Sequence, residues 1–178
     1  MRQEGKTNLL AYLLAHTQNP YVCLDTMGIL TKANFQPLLP KKQQIVKPHF
    51  NSCQTVFTKL CKYVWKKSNM IFAIEEINQY CTKHYIPPEL RGLINLGGNR
   101  NIALWFTTRR IAEVHNDIVA NCIHHFIFRT FLPQDVDWYS TFIPKDVILL
   151  SKDLPKYNFI YYKIGGTPQI YKPVNKMV

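Results

Sequence analysis

Three consecutive residues near the start of the chain, Gly5, Lys6 and Thr7, have the chemistry needed to bind the phosphates of a nucleotide. Glycine leaves room for a phosphate to approach the backbone, and the N–H groups at the start of a helix attract an anion. A lysine ammonium reaches the β- and γ-phosphates, and a threonine hydroxyl binds Mg²⁺. An apolar run, residues 8–14, follows directly and predicts the helix that would hold these groups.

The three residues occupy the last positions of the phosphate-binding pattern G-x-x-x-x-G-K-[ST], known as Walker A. Met1 to Glu4 fill its four variable positions, so its first glycine would fall one position before Met1. A G-K-T triplet is common by chance, and a solvated turn before an amphipathic helix is the alternative. On the nucleotide interpretation, the residues that contact ATP are Gln3, Glu4, Gly5, Lys6, Thr7 and Asn8.

A second pattern carries two acids at the end of an apolar strand. Residues 70–74, M-I-F-A-I, are followed by Glu75 and Glu76. In a parallel sheet the strand ends meet at one edge, beside the phosphate loop. We assign Glu75, with Thr7, to Mg²⁺ and Glu76 to the general base that takes the proton of the attacking water. This is a Walker B arrangement, in which aspartate is commoner than Glu75; the alternative is the start of an exposed helix.

The third pattern is the segment 100–110, R-N-I-A-L-W-F-T-T-R-R, which predicts a strand with a polar end. Thr108 lies where such an end can contact the γ-phosphate and sense its loss. Three strand-end features in this order predict a P-loop NTPase that uses ATP and Mg²⁺, with Glu76, Lys6 and Thr108 as its catalytic candidates.

The elements that must position these residues follow from hydrophobic periodicity. Strands alternate with helices, which predicts an α/β fold of RecA-like (ASCE) type with a mostly parallel sheet and helices on both faces. In this fold the strand before the P-loop lies in the middle of the sheet, and the sequence lacks it. We therefore predict a P-loop core without its first strand over residues 1–143. Residues 144–178 are predicted to extend the same domain with a β-hairpin around Gly165-Gly166.

The individual elements expected are these. Helices are predicted at 6–16, 52–67, from Pro88 to the Gly97-Gly98 pair, at 111–121 and near 133–142. Strands are predicted at 21–25, 43–48, 70–74, 102–107 and 126–131, and a loop at 28–42.

Composition limits the function classes. The chain has 178 residues and a net charge of +11, which favours a polyanionic partner over an acidic one. No run approaches the ~20 apolar residues of a membrane span, and no signal peptide is recognisable, so we expect a cytoplasmic protein, in the host cytoplasm if it is viral. The five cysteines do not have zinc-binding spacing.

The segments 97–110 (GGNRNIALWFTTRR), 113–121 and 124–129 (HHFIFR) are the most specific part of the chain. Together with G-K-T they resemble the FtsK–HerA superfamily of ring-forming, DNA-pumping ATPases, over residues 5 to about 133. Family strands end T-Q-R-P, where the glutamine reads the γ-phosphate; here Thr108 replaces glutamine and Arg110 replaces proline. The T-T-R-R form is similar to that of members carried by viruses and mobile elements, including genome-packaging ATPases.

The resemblance implies a homo-oligomeric ring, expected to be a hexamer, with ATP bound between subunits and double-stranded DNA contacted through its phosphates. A neighbouring subunit would supply an arginine finger. Arg100 matches the family position, and Arg129 and Arg91 are further candidates. Arg109 and Arg110 could face DNA, a neighbour or water.

Three functions remain open at this point. The first is an ATP-driven translocase that packages a viral genome or moves mobile-element DNA. The second is a subunit that binds nucleotide and DNA but hydrolyses poorly, because Glu75, Thr108 and the incomplete Walker A pattern depart from the family. The third is a basic nucleic-acid-binding structural protein with vestigial motifs.

Overall fold

A computed structural model describes residues 5–32, 43–48, 53–130 and 132–177, and helices alternate with strands from residue 6 to residue 128. The helices are α1 (Lys6–His16), α2 (Ile29–Lys32), α3 (Cys53–Lys67), α4 (Pro88–Leu96), α5 (Asn116–Ala120), α6 (Pro133–Tyr139) and α7 (Lys145–Leu149). The strands are β1 (Tyr21–Leu24), β2 (Gln43–Val46), β3 (Met70–Ile74), β4 (Ile102–Phe106), β5 (His124–Phe128), β6 (Phe159–Lys163) and β7 (Gln169–Tyr171).

The first four strands form a parallel sheet in the order β2-β1-β3-β4. Every residue of β1 and β3 is buried, as expected for strands covered on both faces. Alternate residues of these strands face two separate clusters of apolar side chains, one on each side of the sheet. The α/β fold with a mostly parallel sheet and flanking helices is therefore confirmed.

The last three strands form a second, antiparallel sheet in the order β5-β6-β7. The C-terminal hairpin of β6 and β7 is confirmed. The strand before it, expected to join the parallel sheet, pairs with β6 instead. β4 and β5 are each an edge strand of their own sheet.

Helices nevertheless cover both sheets. On one side, Leu10 and Leu14 of α1 pack on β1 and β3, while Leu9 packs on Phe128 and Phe159 of the second sheet. On the other side a single apolar cluster joins β3 to β5 and β6. The two sheets thus belong to one packed unit, and α1 lies across both of them.

Local contacts explain where the structure differs from the sequence expectation. Asp25 caps a short helix, α2, inside the segment 28–42 that was predicted as loop; of that segment, residues 33–42 lie outside the described part. The helix expected at 111–121 is divided, because the His115 ring accepts the N–H of Asp117 and starts α5 there.

α4 ends at the Gly97-Gly98 pair as expected, but not through a left-handed glycine. Gly97 stays right-handed, at φ −61°, and the chain continues as a 3₁₀ turn to Asn101, whose φ of 54° makes the reversal.

Candidate nucleotide site

A row of polar residues follows the parallel strands at one edge of the sheet. Leu24, Ile74 and Phe106 are the last residues of three adjacent strands in register. The residues after them continue the ladder, since the N–H of Glu75 donates to Leu24 and the N–H of Thr107 donates to Ile74, both at 3.0 Å. The carboxyl ends of the strands thus bring the predicted acids beside the predicted sensor segment.

The phosphate-loop residues lie at the start of α1. Gly5 caps the helix with φ 91°, a conformation that favours glycine. A Cβ built there would lie 3.3 Å from Cε1 of Phe128 and 3.6 Å from Cδ1 of Tyr157. The first turn of α1 carries no acidic residue, so nothing in it opposes an anion at the helix N-terminus. Gln3 and Glu4, also expected to contact ATP, lie outside the described residues.

A hydrogen bond joins this helix to the strand-end acids. The Thr7 hydroxyl donates to Oε1 of Glu75 over 2.9 Å, although the two residues are 68 positions apart. Glu75 is fully buried, and its Oε2 accepts the N–H of Met27 at 3.0 Å. Burial raises the pKa of Glu75, and the nearby Asp25 carboxylate raises it further, against the lowering effect of its two hydrogen bonds.

The Thr7–Glu75 pair fits a magnesium ion. Hydroxyl and carboxylate oxygens are the ligands that Mg²⁺ prefers, and the ion usually completes its shell with water and phosphate oxygens. Among the described residues no group of three or more His, Cys, Asp or Glu side chains could hold a metal by itself. An ion bound here would therefore depend on the nucleotide for further ligands.

Glu76 is held differently from its neighbour. Its Oε1 lies 3.0 Å from Nε of Arg109, which extends from the end of β4. Its Oε2 is buried and has no hydrogen-bond partner in the described part of the chain. The backbone of Glu76 is left-handed, at φ 54°, and its N–H donates to the Thr107 hydroxyl. A buried carboxylate oxygen without a partner, on a strained backbone, is typical of a reactive site.

Lys6 and Thr108 line one cavity of about 100 Å³ between α1 and the ends of the two sheets, together with Arg109, Phe128, Arg129 and Asp135. This volume holds several water molecules. The Thr108 hydroxyl donates to the Asn78 side chain at 3.3 Å, and the Lys6 ammonium lies 6.0 Å from the Phe128 ring centroid.

The side chains of Arg100 and Asn8 lie apart from the candidate phosphate and Mg²⁺ site. Arg100 precedes β4, whose five residues separate it from the site edge by roughly 17 Å at 3.3 Å per residue. Its guanidinium stacks on Trp65 at 4.7 Å. The Asn8 amide binds the backbone of Asn175 and Met177, so its side chain is engaged with the C-terminal tail.

The structure also assigns partners to arginines that the sequence left undecided. Arg109 pairs with Glu76, and Arg110 pairs with the buried Asp135 at 3.3 Å. Arg91 lies 3.6 Å from Asp117, and Arg129 lines the cavity. Sequence reasoning missed the Arg109–Glu76 pair, because only the register of β3 and β4 places the two side chains together.

Comparison with solved structures agrees with this architecture. The model matches the genome-packaging NTPase B204 of Sulfolobus turreted icosahedral virus 2 in complex with ATP-gammaS, with a TM-score of 0.81 and 18% identity over 97% of this chain and 94% of that one. This is the fold of a P-loop NTPase. B204 described as the DNA-packaging ATPase of Sulfolobus turreted icosahedral virus matches with a TM-score of 0.79 and 18% identity over 98% and 94% of the two chains.

A third solved structure is more distant. The N-terminal domain of zonular occludens toxin from Neisseria meningitidis matches with a TM-score of 0.58 and 13% identity, over 99% of this chain and 92% of that one. Neither a protein-family model nor a curated protein sequence matches the chain. Among the described residues, no helix has the length and apolar character required to cross a bilayer.

Proposed function

We propose that this protein is a Mg²⁺-dependent ATPase that moves double-stranded DNA, in genome packaging or mobile-element transfer. The observation that carries the proposal is the 2.9 Å hydrogen bond between Thr7 and Glu75. A G-K-T threonine and a strand-end acid, distant in sequence, meet at the point where a P-loop NTPase needs a Mg²⁺ ion between them. The shared fold with B204, whose described role is DNA packaging, supports this choice of cargo.

Each side chain then has a definite task. The backbone at Gly5 and the Lys6 ammonium bind the phosphates, and Thr7 and Glu75 hold the metal, which would neutralise charge on the β- and γ-phosphates. Glu76 takes the proton of the attacking water, with its buried Oε2 as the acceptor. Thr108, at the cavity that Lys6 lines, contacts the γ-phosphate.

The Arg109–Glu76 ion pair also favours a second candidate function, a subunit that binds nucleotide and DNA but hydrolyses slowly. While Oε1 of Glu76 is bound to Arg109, the carboxylate is less free to turn toward a water molecule. Turnover in the first candidate therefore requires this pair to loosen when ATP and DNA are bound.

In the proposed function, copies of this chain assemble into a ring. Arg100 lies at the opposite edge of the sheet from its own Glu75 and Glu76, so it could serve as a finger only for a neighbouring subunit. Head-to-tail contacts between copies close into a ring, here proposed to be a hexamer. The net charge of +11 suits a channel that contacts DNA phosphates without reading sequence.

The effect of Mg²⁺ on ATP binding tests the role assigned to the Thr7–Glu75 pair. Thr7→Val removes the hydroxyl that donates to Glu75 and keeps the shape of the side chain. We expect Mg²⁺ to tighten ATP binding to the wild type in titration calorimetry, and this gain to fall at least tenfold in Thr7→Val. The control, Thr167→Val, alters an exposed threonine of the β6–β7 turn and should bind like the wild type. An equal gain from Mg²⁺ in Thr7→Val would contradict the assignment of Thr7.

A further inference from the structure

Tyr157 occupies an unusual position in the turn that leads into β6. The N–H of Asn158 donates to Pro155 at 3.1 Å, which closes a four-residue turn with Tyr157 as its third residue. Its φ is 68°. The third position of such a turn normally carries glycine or asparagine, because a side chain there is strained. Glycine or asparagine would be less strained than tyrosine at this position.

The ring of Tyr157 lies against the phosphate loop. Its Cδ1 and Cβ would be 3.6 and 3.9 Å from a Cβ placed on Gly5. Tyr157 is 36% exposed, so part of the residue is accessible to a ligand. The ammonium of Lys156, an exposed and flexible group, lies 4.8 Å from the ring centroid. A flat ligand can displace that ammonium and stack on the ring.

Gly5 and Thr7, which flank Lys6, lie against different sheets. Thr7 contacts Glu75 of the parallel sheet, where the metal and the γ-phosphate belong. Gly5 contacts Phe128 and Tyr157 of the second-sheet region. A base that leaves the loop on the Gly5 side therefore lies next to the Tyr157 ring.

The charge of this region also suits a nucleotide. Residues 154–177 contain no aspartate or glutamate, and their lysines are Lys156, Lys163, Lys172 and Lys176. A ligand that carries phosphates therefore meets no carboxylate from this part of the chain.

We infer that Tyr157 is the nucleobase-binding residue of this protein, which stacks on the base of ATP while the loop holds the phosphates. This inference rests on the proposed ATP site and adds a subsite to it. Base stacking on an aromatic ring tolerates any base, so the site selects a nucleoside triphosphate over inorganic polyphosphate more than it selects adenine over guanine.

The test compares ATP with inorganic tripolyphosphate, which has the phosphates and no base. Displacement of a fluorescent ATP analogue measures both affinities. We expect Tyr157→Ala to weaken ATP binding about tenfold and to leave tripolyphosphate binding unchanged, whereas Tyr157→Phe and Tyr157→Trp retain wild-type ATP affinity. Tyr157→Gly, which relieves the positive φ, keeps the test valid if the alanine variant folds poorly. Tyr85→Ala, which alters an exposed tyrosine in the 82–85 turn, is the matched control.

The inference about Tyr157 would be overturned if Tyr157→Ala and Tyr157→Gly weakened the binding of both ligands equally. It would also be overturned if they weakened the binding of neither ligand. Both results would leave the assignment of the ATP site intact. If the wild type binds neither ligand, or if Lys6→Ala changes neither affinity, the phosphate site itself is wrong and the inference fails with it.

Discussion

Glu75 and Glu76 are adjacent in sequence and lie in different environments. Glu75 is fully buried and hydrogen-bonded through both oxygens, a geometry that holds a metal ligand in place. Glu76 keeps one buried oxygen without a partner and has a strained backbone, a geometry suited to a group that acts on water. The sequence predicted the two roles, and the structure supplies the physical difference that would separate them.

At the residue scale, Gly5 gives a direct prediction. Gly5→Ala places a side chain at φ 91° and within 3.3 Å of Phe128, so we expect it to destabilise the fold by roughly 1–2 kcal/mol and to weaken ATP binding. Gly92→Ala is the matched control, because Gly92 lies inside α4 with nothing within 4 Å of the new Cβ. Alanine should stabilise that helix by up to about 1 kcal/mol. Urea unfolding measures both; equal effects of the two substitutions would contradict the role given to Gly5.

At the scale of elements, β5 and α6 are joined by a buried histidine. Nε2 of His125 lies 3.1 Å from the carbonyl of Cys122, which can only accept, so this nitrogen carries the proton. Nδ1 therefore accepts from the Tyr139 hydroxyl at 2.7 Å. Burial lowers the pKa of His125 below its ordinary value, because the charged ring is poorly solvated and loses its hydrogen-bonding pattern.

This arrangement predicts the direction of a pH effect. The unfolded chain binds a proton at His125 near pH 6.5, and the folded chain does so only at lower pH. The His125 contribution is thus fully present above that range and is lost as the pH falls through it. We expect the free energy of unfolding of the wild type, relative to that of His125→Asn, to decrease as the pH falls from 7.5 to 5.5. The control His84→Asn removes an exposed histidine and should keep the wild-type slope; an unchanged slope in His125→Asn would refute the assignment.

Elements with strong local patterns were predictable, and elements defined by distant partners were not. The helix after G-K-T and the strand before Glu75 follow from a motif and an apolar run, and both are present as expected. The place of β5 in a second sheet was not predictable, because it depends on pairing with β6, where Phe128 pairs with Phe159 and His124 pairs with Lys163, far along the chain. For the same reason the sequence did not predict the Arg109–Glu76 pair, which depends on strand register.

At the scale of the whole molecule, the parallel sheet separates Arg100 from the acids of its own chain. Its guanidinium lies on Trp65 at the opposite edge, so the proposed ring must bring it to a neighbour. In the proposed translocase, the +11 charge would make DNA contacts mainly electrostatic, with an affinity that falls steeply as salt increases.

A mixture of two inactive variants tests the role in trans. We expect Arg100→Ala to bind ATP normally and to lose turnover by 10³-fold or more, the range reported for arginine fingers in general. Lys6→Ala should lose turnover through its own phosphate site. When the two are mixed, an intact Lys6 site can face an intact Arg100, so part of the activity should return. Absence of any recovery, with mixed oligomers shown to form, would remove Arg100 from the finger role.

DNA-stimulated ATP turnover in the presence of Mg²⁺ is the most direct test of the claim that this protein is a DNA-moving ATPase. We predict that the wild type hydrolyses ATP faster when double-stranded DNA is added. Glu76→Gln should still bind ATP and lose turnover at least a hundredfold, and Lys6→Ala should lose both. The claim would be contradicted if the wild type showed no ATP turnover and if its affinity for DNA depended on salt concentration but not on ATP.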